Sequence, residues 1–388
     1  MRIAISGAGI AGPTAAYWLQ RSGHIPTLIE RAPALRTGGY VIDFWGVGYR
    51  IAQLMGIEHD VLDAGYRVRK LRGVRSNGHS FANVDVDAFV RAVDGRYVTI
   101  ARSDLAAIIY SSIADDVEVI FDDTVTDIDN RSDGVTVSFE RHPAREFDLI
   151  LGADGLHSAV RELTFGSEGT EHYLGCCVGA FTTDGYRPRD ELTYVLYNVP
   201  GAQVGRFALR DDRTLFLFVF RHPDPHSVDD ARALLRARFD GVGWECRPIL
   251  ARLDSATDLY FDAVSQIRLD RWSRGRVALL GDAAAAVSFL AGEGTGLAML
   301  EAYVLAGELA RATGDHRIAF AAYDERLRMF IADKQRAAYR YLPFFAGTTR
   351  LGLSLRNLGL RAMSIPGLAE RLASRSFRDD IDLPDYGM

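Results

Sequence analysis

Cysteine is scarce in these 388 residues. Only Cys176, Cys177 and Cys246 occur, an odd number with two adjacent, which gives neither a disulfide framework nor zinc-ligand spacing. They read as small buried hydrophobes in a reducing compartment. No long basic block exists: 45 lysines and arginines are spread among 51 acids, for a net charge of −6, so a nucleic-acid partner has no electrostatic footprint. No apolar run is long enough to span a bilayer. The best candidate, "YLPFFAGTTRLGLSLRNLGLRAM", is broken by Arg350, Arg356 and Arg361. The opening "MRIAIS" reads as a strand rather than a secretory leader. His157, His172, His222 and His226 lack metal spacing, no nucleophile elbow stands out, and there is no internal repeat. These absences predict a soluble cytoplasmic protein with no metal, no nucleic-acid partner and no membrane partner, a monomer or homodimer. The length fits two domains, or one large domain with an insertion.

What is present begins at once. "IAISGAGIAGPTAA", Ile3 to Ala16, places Gly7, Gly9 and Gly12 between a β-branched run and an alanine-rich segment. Ile3–Ser6 reads as a buried parallel strand, Ala11–Arg21 as a helix, and His24–Glu30 as a second strand. In such a β–α–β unit Gly7 allows the tight turn. Gly9 lets a pyrophosphate approach the backbone, and Gly12 lets helix and strand pack closely. The helix start, Ile10 and Ala11, offers N–H groups and a partial positive charge to phosphates. Glu30 ends the second strand, where it can accept both ribose hydroxyl protons, and Arg31 can lie against an adenine ring. Strand, helix and terminal acid together predict a dinucleotide site, and this motif leaves open whether the dinucleotide is FAD or a nicotinamide.

Two further stretches follow the same pattern. "FDLILGADGLHSAVR" ends a strand in Gly152, Asp154 and Gly155 and opens a helix near Ser158. "GRVALLGDAAAAVSFLAGEGTGLAMLEA" ends a strand in Gly281 and Asp282, and leads through Gly292, Gly294 and Gly296 into a long helix. In this order the three motifs resemble the single-component FAD-dependent aromatic hydroxylases, the flavoprotein monooxygenases. "RTGGYVIDFWGVG" and "LRNLGLRAMSIPGLAERL" are similar to the tetracycline-inactivating members, which confer antibiotic resistance, and to their relatives in antibiotic biosynthesis. The resemblance implies that the first motif holds the ADP half of FAD. It implies that Asp154 and Gly155 serve FAD and NAD(P)H, and that Asp282 meets the ribityl or pyrophosphate region. It also implies that Arg102, in "ARSDL", opens a helix and contacts FAD, and that Gly38 and Gly39 pass close to the isoalloxazine. Arg36 is either a contact to NADPH phosphate or a surface residue. The implied activity is hydroxylation of an aromatic or polycyclic small molecule with O2 and NADPH (or NADH) through a flavin C4a-hydroperoxide, with no catalytic side chain of its own. One departure stands out: many members carry His-Pro after "GDAA", and this chain has Ala285-Ala286. It keeps open a non-oxygenating FAD protein, a cyclase or reductase, as the alternative.

The fold class expected is α/β. A Rossmann-like FAD-binding domain (1–66, 99–166 and 267–315) carries an inserted antiparallel-sheet substrate domain (67–98 and 167–266), and a C-terminal helical region (316–388) contains a long bridging helix. The runs "ELTYVLYNV", "AQVGRFALR" and "RTLFLFVFRH" read as antiparallel strands. They offer Tyr194, Phe207, Phe216 and Phe218 as substrate-pocket candidates, although aromatics alternating on strands are more often core. "SVDDARALLRARF" reads as a helix capped by Ser227.

Overall fold

The computed structural model describes residues 1–36, 38–166, 170–365 and 381–388. Part of the C-terminal resemblance, Pro366 to Leu372, therefore lies outside the described residues. The first lobe is built on a six-stranded sheet in the order Ser273–Arg274, Val277–Leu279, Leu149–Gly152, Arg2–Ser6, Ile25–Glu30, Glu118–Phe121. Its pairings are parallel except at the Ser273–Arg274 edge. Central strands covered on both faces need uninterrupted apolar runs, and Ile3, Ile5, Leu149 to Leu151 and Val277 to Leu279 are all fully buried. The helix Ala11–Arg21 runs over the bounds read from the sequence. The helix Gly294–Arg311 is buried continuously from Leu297 to Leu309, as an all-round apolar helix inside a large core must be.

The second lobe is a seven-stranded sheet in the order Tyr260–Arg268, Thr170–Asp184, Arg213–Arg221, Ala202–Ala208, Thr193–Val199, Lys70–Val74, Ser80–Asp85. It is antiparallel except where Thr193–Val199 runs parallel to Lys70–Val74, a pairing that joins the two separate chain segments of this lobe. Along Arg213–Arg221 the side chains alternate. Phe216, Phe218 and Phe220 pack with Leu235, Phe239 and Ile249 under the helices Ala231–Phe239 and Cys246–Leu250. Leu215, Leu217 and Val219 face the opposite way, toward Tyr260 of the same sheet and toward Tyr40, Phe289 and Leu290 of the first lobe. The helix Ala231–Phe239 starts later than the sequence suggests. Asp230, not Ser227, accepts the Arg232 and Ala233 N–H groups, and the Ser227 hydroxyl closes a turn on the Asp224 carbonyl instead. A long helix, His316–Ala346, touches both lobes. Its first half lies in the core of the parallel-sheet lobe through Phe320, Tyr323 and Leu327, and its end packs Leu342 and Ala346 beneath the second sheet.

Candidate functional site

Strand register brings the three motifs to one edge. Ser6 pairs with Gly152, and Gly152 with Leu279, so Gly7, Asp154 and Asp282 all follow strands that end side by side. The Ala153 N–H donates to the Ser6 carbonyl (2.8 Å), and the Leu280 N–H to the Gly152 carbonyl (3.0 Å). The carboxyl edge of an open parallel sheet is where such folds bind ligands.

The three glycines of the first motif meet different surroundings. Gly7 has φ +104°, and a Cβ there would stand 2.5 Å from the Ala153 carbonyl oxygen. A Cβ on Gly12 would overlap the Gly7 carbonyl, so this residue fixes how closely the helix lies on the strand. Gly9 alone has room, its nearest neighbour being the Arg102 Nη2, 3.7 Å from where a Cβ would stand. Ile10 is the N-cap of the helix and supplies no side-chain hydrogen bond, so the first turn beginning at Ala11 keeps its N–H groups for another acceptor. The Glu30 carboxylate is fixed beside the loop. Its Oε2 accepts the Ala8 N–H (2.8 Å) and its Oε1 the Ala32 N–H (2.9 Å). Arg31 is exposed next to it.

Asp154 is tied into its own turn. It accepts the Ser158 hydroxyl, the Val160 N–H (3.1 Å) and the Ser6 hydroxyl (3.5 Å), and burial pushes its carboxyl above the usual range. Gly155 follows with φ +82° and no neighbour within 4 Å of where a Cβ would stand. Arg161, which sequence reasoning passed over, is buried and bridges two motifs: its guanidinium donates to the carbonyls of Leu156 (2.6 Å) and Ala283 (3.1 Å). Arg161→Met removes both bonds and leaves buried carbonyls unpaired. It is expected to lower the melting temperature by several degrees, as about 1–3 kcal/mol of lost stability would. A calorimetric scan matching the parent protein would refute the bridge.

In the third motif Gly281 has φ +62° and donates its N–H to the buried Glu301 Oε2 (2.6 Å). Asp282 reaches toward the helix Gly294–Arg311, its Oδ1 3.8 Å from where a Cβ on Gly294 would stand. Its side chain opens onto the cleft but is ringed by protein. That desolvation raises its pKa against the opposing charge of Arg102. Arg102 begins the helix Arg102–Ser111, and its N–H donates to the Tyr40 carbonyl (3.1 Å). Its charge also reaches Tyr40 and Tyr260. Gly292 ends a turn with φ +67° and open space on its Cβ side, whereas Gly296 backs onto Gly48, where a Cβ would stand 2.5 Å from the Gly296 Cα. The turn that carries Ala285 and Ala286 is held by two buried glutamines. The Gln335 amide donates to the Ala286 (3.0 Å) and Ile267 (2.7 Å) carbonyls, and the Gln266 amide to those of Val287 and Gln335 (both 2.8 Å). Neither glutamine carries a spacing signal. Gln335 sits in the charged run "DKQR" and Gln266 between Ser265 and Ile267, so nothing local marks either one.

The aromatic candidates separate by face. Tyr194 and Phe207 lie on the side of the sheet that meets the first lobe, with ring centroids 4.7 Å apart. Phe216 and Phe218 lie on the other side, fully buried under helices and turned away from the three motifs. The residues that do meet at the junction are Tyr40, Tyr260 and Phe289. Tyr40 stands 4.8 Å from Phe289 and 5.4 Å from Tyr260, centroid to centroid. His157, next to the second motif, reaches across to Asp262 of the second sheet (3.3 Å), whose hydrogen bond raises the imidazole pKa. Gly38 and Gly39 both have positive φ and deliver Tyr40 to this junction.

Comparison with known proteins bears on this geometry. The family described as FAD binding domain matches residues 1–330. A flavin-dependent monooxygenase of Legionella longbeachae serogroup 1 (strain NSW150) is 35% identical over 347 residues, covering 87% of each chain. The crystal structure of tetracycline destructase Tet(55) superposes with a TM-score of 0.84 at 31% identity, covering 99% of this chain and 98% of that one. Klebsiella pneumoniae HpxO, solved with FAD and uric acid, shares the fold with a TM-score of 0.77 at 24% identity, covering 96% and 97% of the two chains.

Proposed function

The chain belongs to the FAD-binding-domain family and is an FAD-dependent monooxygenase, and we propose that it hydroxylates an aromatic or polycyclic small molecule at the expense of O2 and NADPH or NADH. The observation that carries the reading is the convergence of three motifs on one sheet edge, with the Glu30 carboxylate already oriented by the Ala8 N–H. The residues present fit the cofactor. Gly9 leaves the loop open where a pyrophosphate would lie, and the uncapped helix start beside it favours an anion. Glu30 suits the ribose hydroxyls, and Arg31 the adenine. Asp282 and Arg102 stand further along the cleft, where the ribityl chain and ring would follow. When bound, FAD carries electrons from the nicotinamide donor to O2 and hands one oxygen atom to the substrate, the other leaving as water.

The protein's own work is placement and exclusion of water. We assign FAD to residues 1–66, 99–166 and 267–315, and the substrate to the sheet formed from 67–98 and 167–266. Residues 316–388 complete the chain, their long helix joining the two parts. The junction face bearing Tyr40, Leu217, Tyr260 and Phe289 is aromatic and only partly buried, which supports a flat apolar substrate. Tyr194 and Phe207 flank it. No described helix is long and apolar enough to cross a membrane. A reducing cytoplasm suits the three cysteines. All are free and buried, and burial pushes the Cys176 and Cys246 thiols up to about 11.

The test is the visible spectrum of the purified protein, followed by NADPH in air. A flavin spectrum that NADPH bleaches and oxygen restores, faster with an aromatic substrate present, supports the reading. A colourless protein that FAD cannot reconstitute overturns it. Asp282→Ala is expected to fold and to bind FAD at least about tenfold more weakly, the loss of one charge-assisted hydrogen bond. Parental flavin occupancy in that variant would remove Asp282 from the cofactor site.

A further inference from the structure

A cavity of about 260 Å³ lies at the far end of the second sheet, walled by Arg75, Ser76, Phe81, Asn198, Asn357 and Arg361. None of these belongs to the three motifs, and four residues of strand, about 13 Å, separate Asn198 from Tyr194 at the junction face. One wall is the hairpin of Lys70–Val74 and Ser80–Asp85 with the end of Thr193–Val199. The other is a helix, Arg350–Met363.

The lining is rich in donors and holds no acid. Arg361 is fixed in place: its Nε donates to the Phe81 carbonyl (3.3 Å), and its guanidinium lies 6.0 Å from the Phe81 ring centroid. Asn357 accepts the Arg356 Nη1 at its Oδ1 (3.0 Å), which leaves its NH2 as a donor. Unsatisfied polar atoms flank the cavity on both sides. On the helix side, Arg356 Nε and Nη2 are buried with no partner among the described residues, against the Phe344 ring (4.5 Å). Burial pulls the Arg356 pKa down to about 10, with no carboxylate to offset it. On the sheet side, the Asn198 amide NH2 donates to Gln203 Oε1 (3.1 Å) and the Phe345 carbonyl (3.2 Å), while its buried Oδ1 accepts nothing among the described residues. Such orphaned atoms are uncommon in folded proteins and call for an occupant. Arginines gathered without a counter-charge repel one another, and an anion relieves that repulsion.

We propose that this cavity binds a small organic anion, its carboxylate or phosphate group held between Arg75 and Arg361. Guanidinium forks match the oxygens of either group. The volume is several times the roughly 30 Å³ share of one water, which suits an organic anion over chloride. Arg75 extends from the hairpin and Arg361 from the helix, so the ligand ties the two together. The tie matters because the helix is lightly held. Leu360 is its one fully buried side chain, packed with Ala82 and Val84, while Leu351, Leu355 and Leu358 face solvent. The site is independent of the cofactor reading.

The test uses the protein saturated with FAD, so that phosphate is kept out of the cofactor cleft. Melting temperature is read against inorganic phosphate, against succinate, and against chloride at matched ionic strength. A saturable rise of about 3 °C is expected at a hundredfold excess over Kd. A rise with phosphate alone or with succinate alone supports the site and names the group it takes; a rise with both supports it for either group. Arg75 and Arg361 are exposed, so replacing them leaves the fold intact. Arg75→Gln and Arg361→Gln should each weaken the anion about tenfold. The double variant should respond to phosphate and succinate no more than to chloride. Proteolysis within Arg350–Met363 should slow with the anion in the parent and not in the double variant. If chloride does as well as either anion, or the double variant responds as the parent does, the proposal is overturned. If the protein holds no FAD, the cofactor reading fails, and the difference between parent and double variant still decides this site.

Discussion

Gly12→Ala is expected to destabilise the protein and to strip its flavin, whereas Gly9→Ala should only strip the flavin. The two glycines are three residues apart in one motif, and the surroundings of each dictate the difference. A methyl group on Gly12 would overlap the Gly7 carbonyl and stand 3.2 Å from Leu28 Cδ2, so the helix must lift off the strand. Lifting it pulls on the loop whose Ala8 N–H holds Glu30. Overpacking against backbone, with no flexible side chain to give way, costs on the order of 3 kcal/mol or more. A methyl group on Gly9 meets nothing nearer than 3.7 Å, and its φ lies outside the left-handed region. The apoprotein should therefore melt within a degree or two of the parent, or slightly higher because alanine restricts the unfolded chain. The same methyl occupies the approach of a pyrophosphate, and flavin content should fall sharply. Melting curves of the apoproteins and the ratio of 450 nm to 280 nm absorbance in the purified holoproteins separate the cases. Full flavin in Gly9→Ala would mean that the phosphates rest elsewhere. An unchanged melting curve in Gly12→Ala would mean that helix and strand are less closely packed than described.

What the sequence made legible was set by backbone. Glycine spacing, apolar runs and terminal acids act over a few residues, so the three strand–turn–helix motifs and the helix Ala11–Arg21 could be read directly. The inserted sheet was legible as strands but not as faces. Alternation in "RTLFLFVFR" shows that odd and even positions point opposite ways but not which side the cleft takes, so it cannot tell that Leu217, and not Phe216 or Phe218, faces the junction. Nor does any local pattern say that Lys70–Val74 pairs in parallel with a strand more than a hundred residues later. Ser227 and Asp230 are both good helix caps, and only the packing of Leu235 and Phe239 chooses between them. The buried polar residues were the least legible. Arg161, Gln266 and Gln335 bond to carbonyls from distant segments, and their roles appear only once those segments have met. Glu301 did leave a trace, as a charged residue amid "GLAMLEAYVLAG", where an acid with no evident partner is rare enough to question.

Glu301 should make stability fall with rising pH, and Glu301→Gln should remove most of that fall. The side chain is almost wholly inaccessible and accepts the Gly281 N–H (2.6 Å) and the Tyr323 hydroxyl (3.1 Å) at one oxygen. Burial, with Asp282 adding to it, pushes the carboxyl from 4.5 up to about 8. A raised carboxyl keeps its proton in the folded protein while the unfolded chain has released its own. Its contribution to stability is thus complete below pH 4.5 and is lost as pH rises through 8. Across that window the slope is about 1.4 kcal/mol per pH unit, several kcal/mol in all. Asp154, also raised by burial, adds a slope of the same sign, but it does so equally in both proteins, so the difference between them isolates Glu301. Glutamine keeps an oxygen for Gly281 and cannot ionise. Melting temperatures from pH 6 to 9 should fall more steeply for the parent than for Glu301→Gln. Glu301→Ala should be destabilised at every pH, because it leaves the Gly281 N–H buried and unpaired. The consequence reaches the cofactor. Ionised Glu301 places a second negative charge behind the Gly281-Asp282 turn, close to where an anionic dinucleotide must lie, so FAD should bind more weakly above pH 8 in the parent and not in Glu301→Gln. Parallel curves for the two proteins, in both melting and FAD affinity, would show that Glu301 holds the turn through its hydrogen bonds alone, with its proton playing no part.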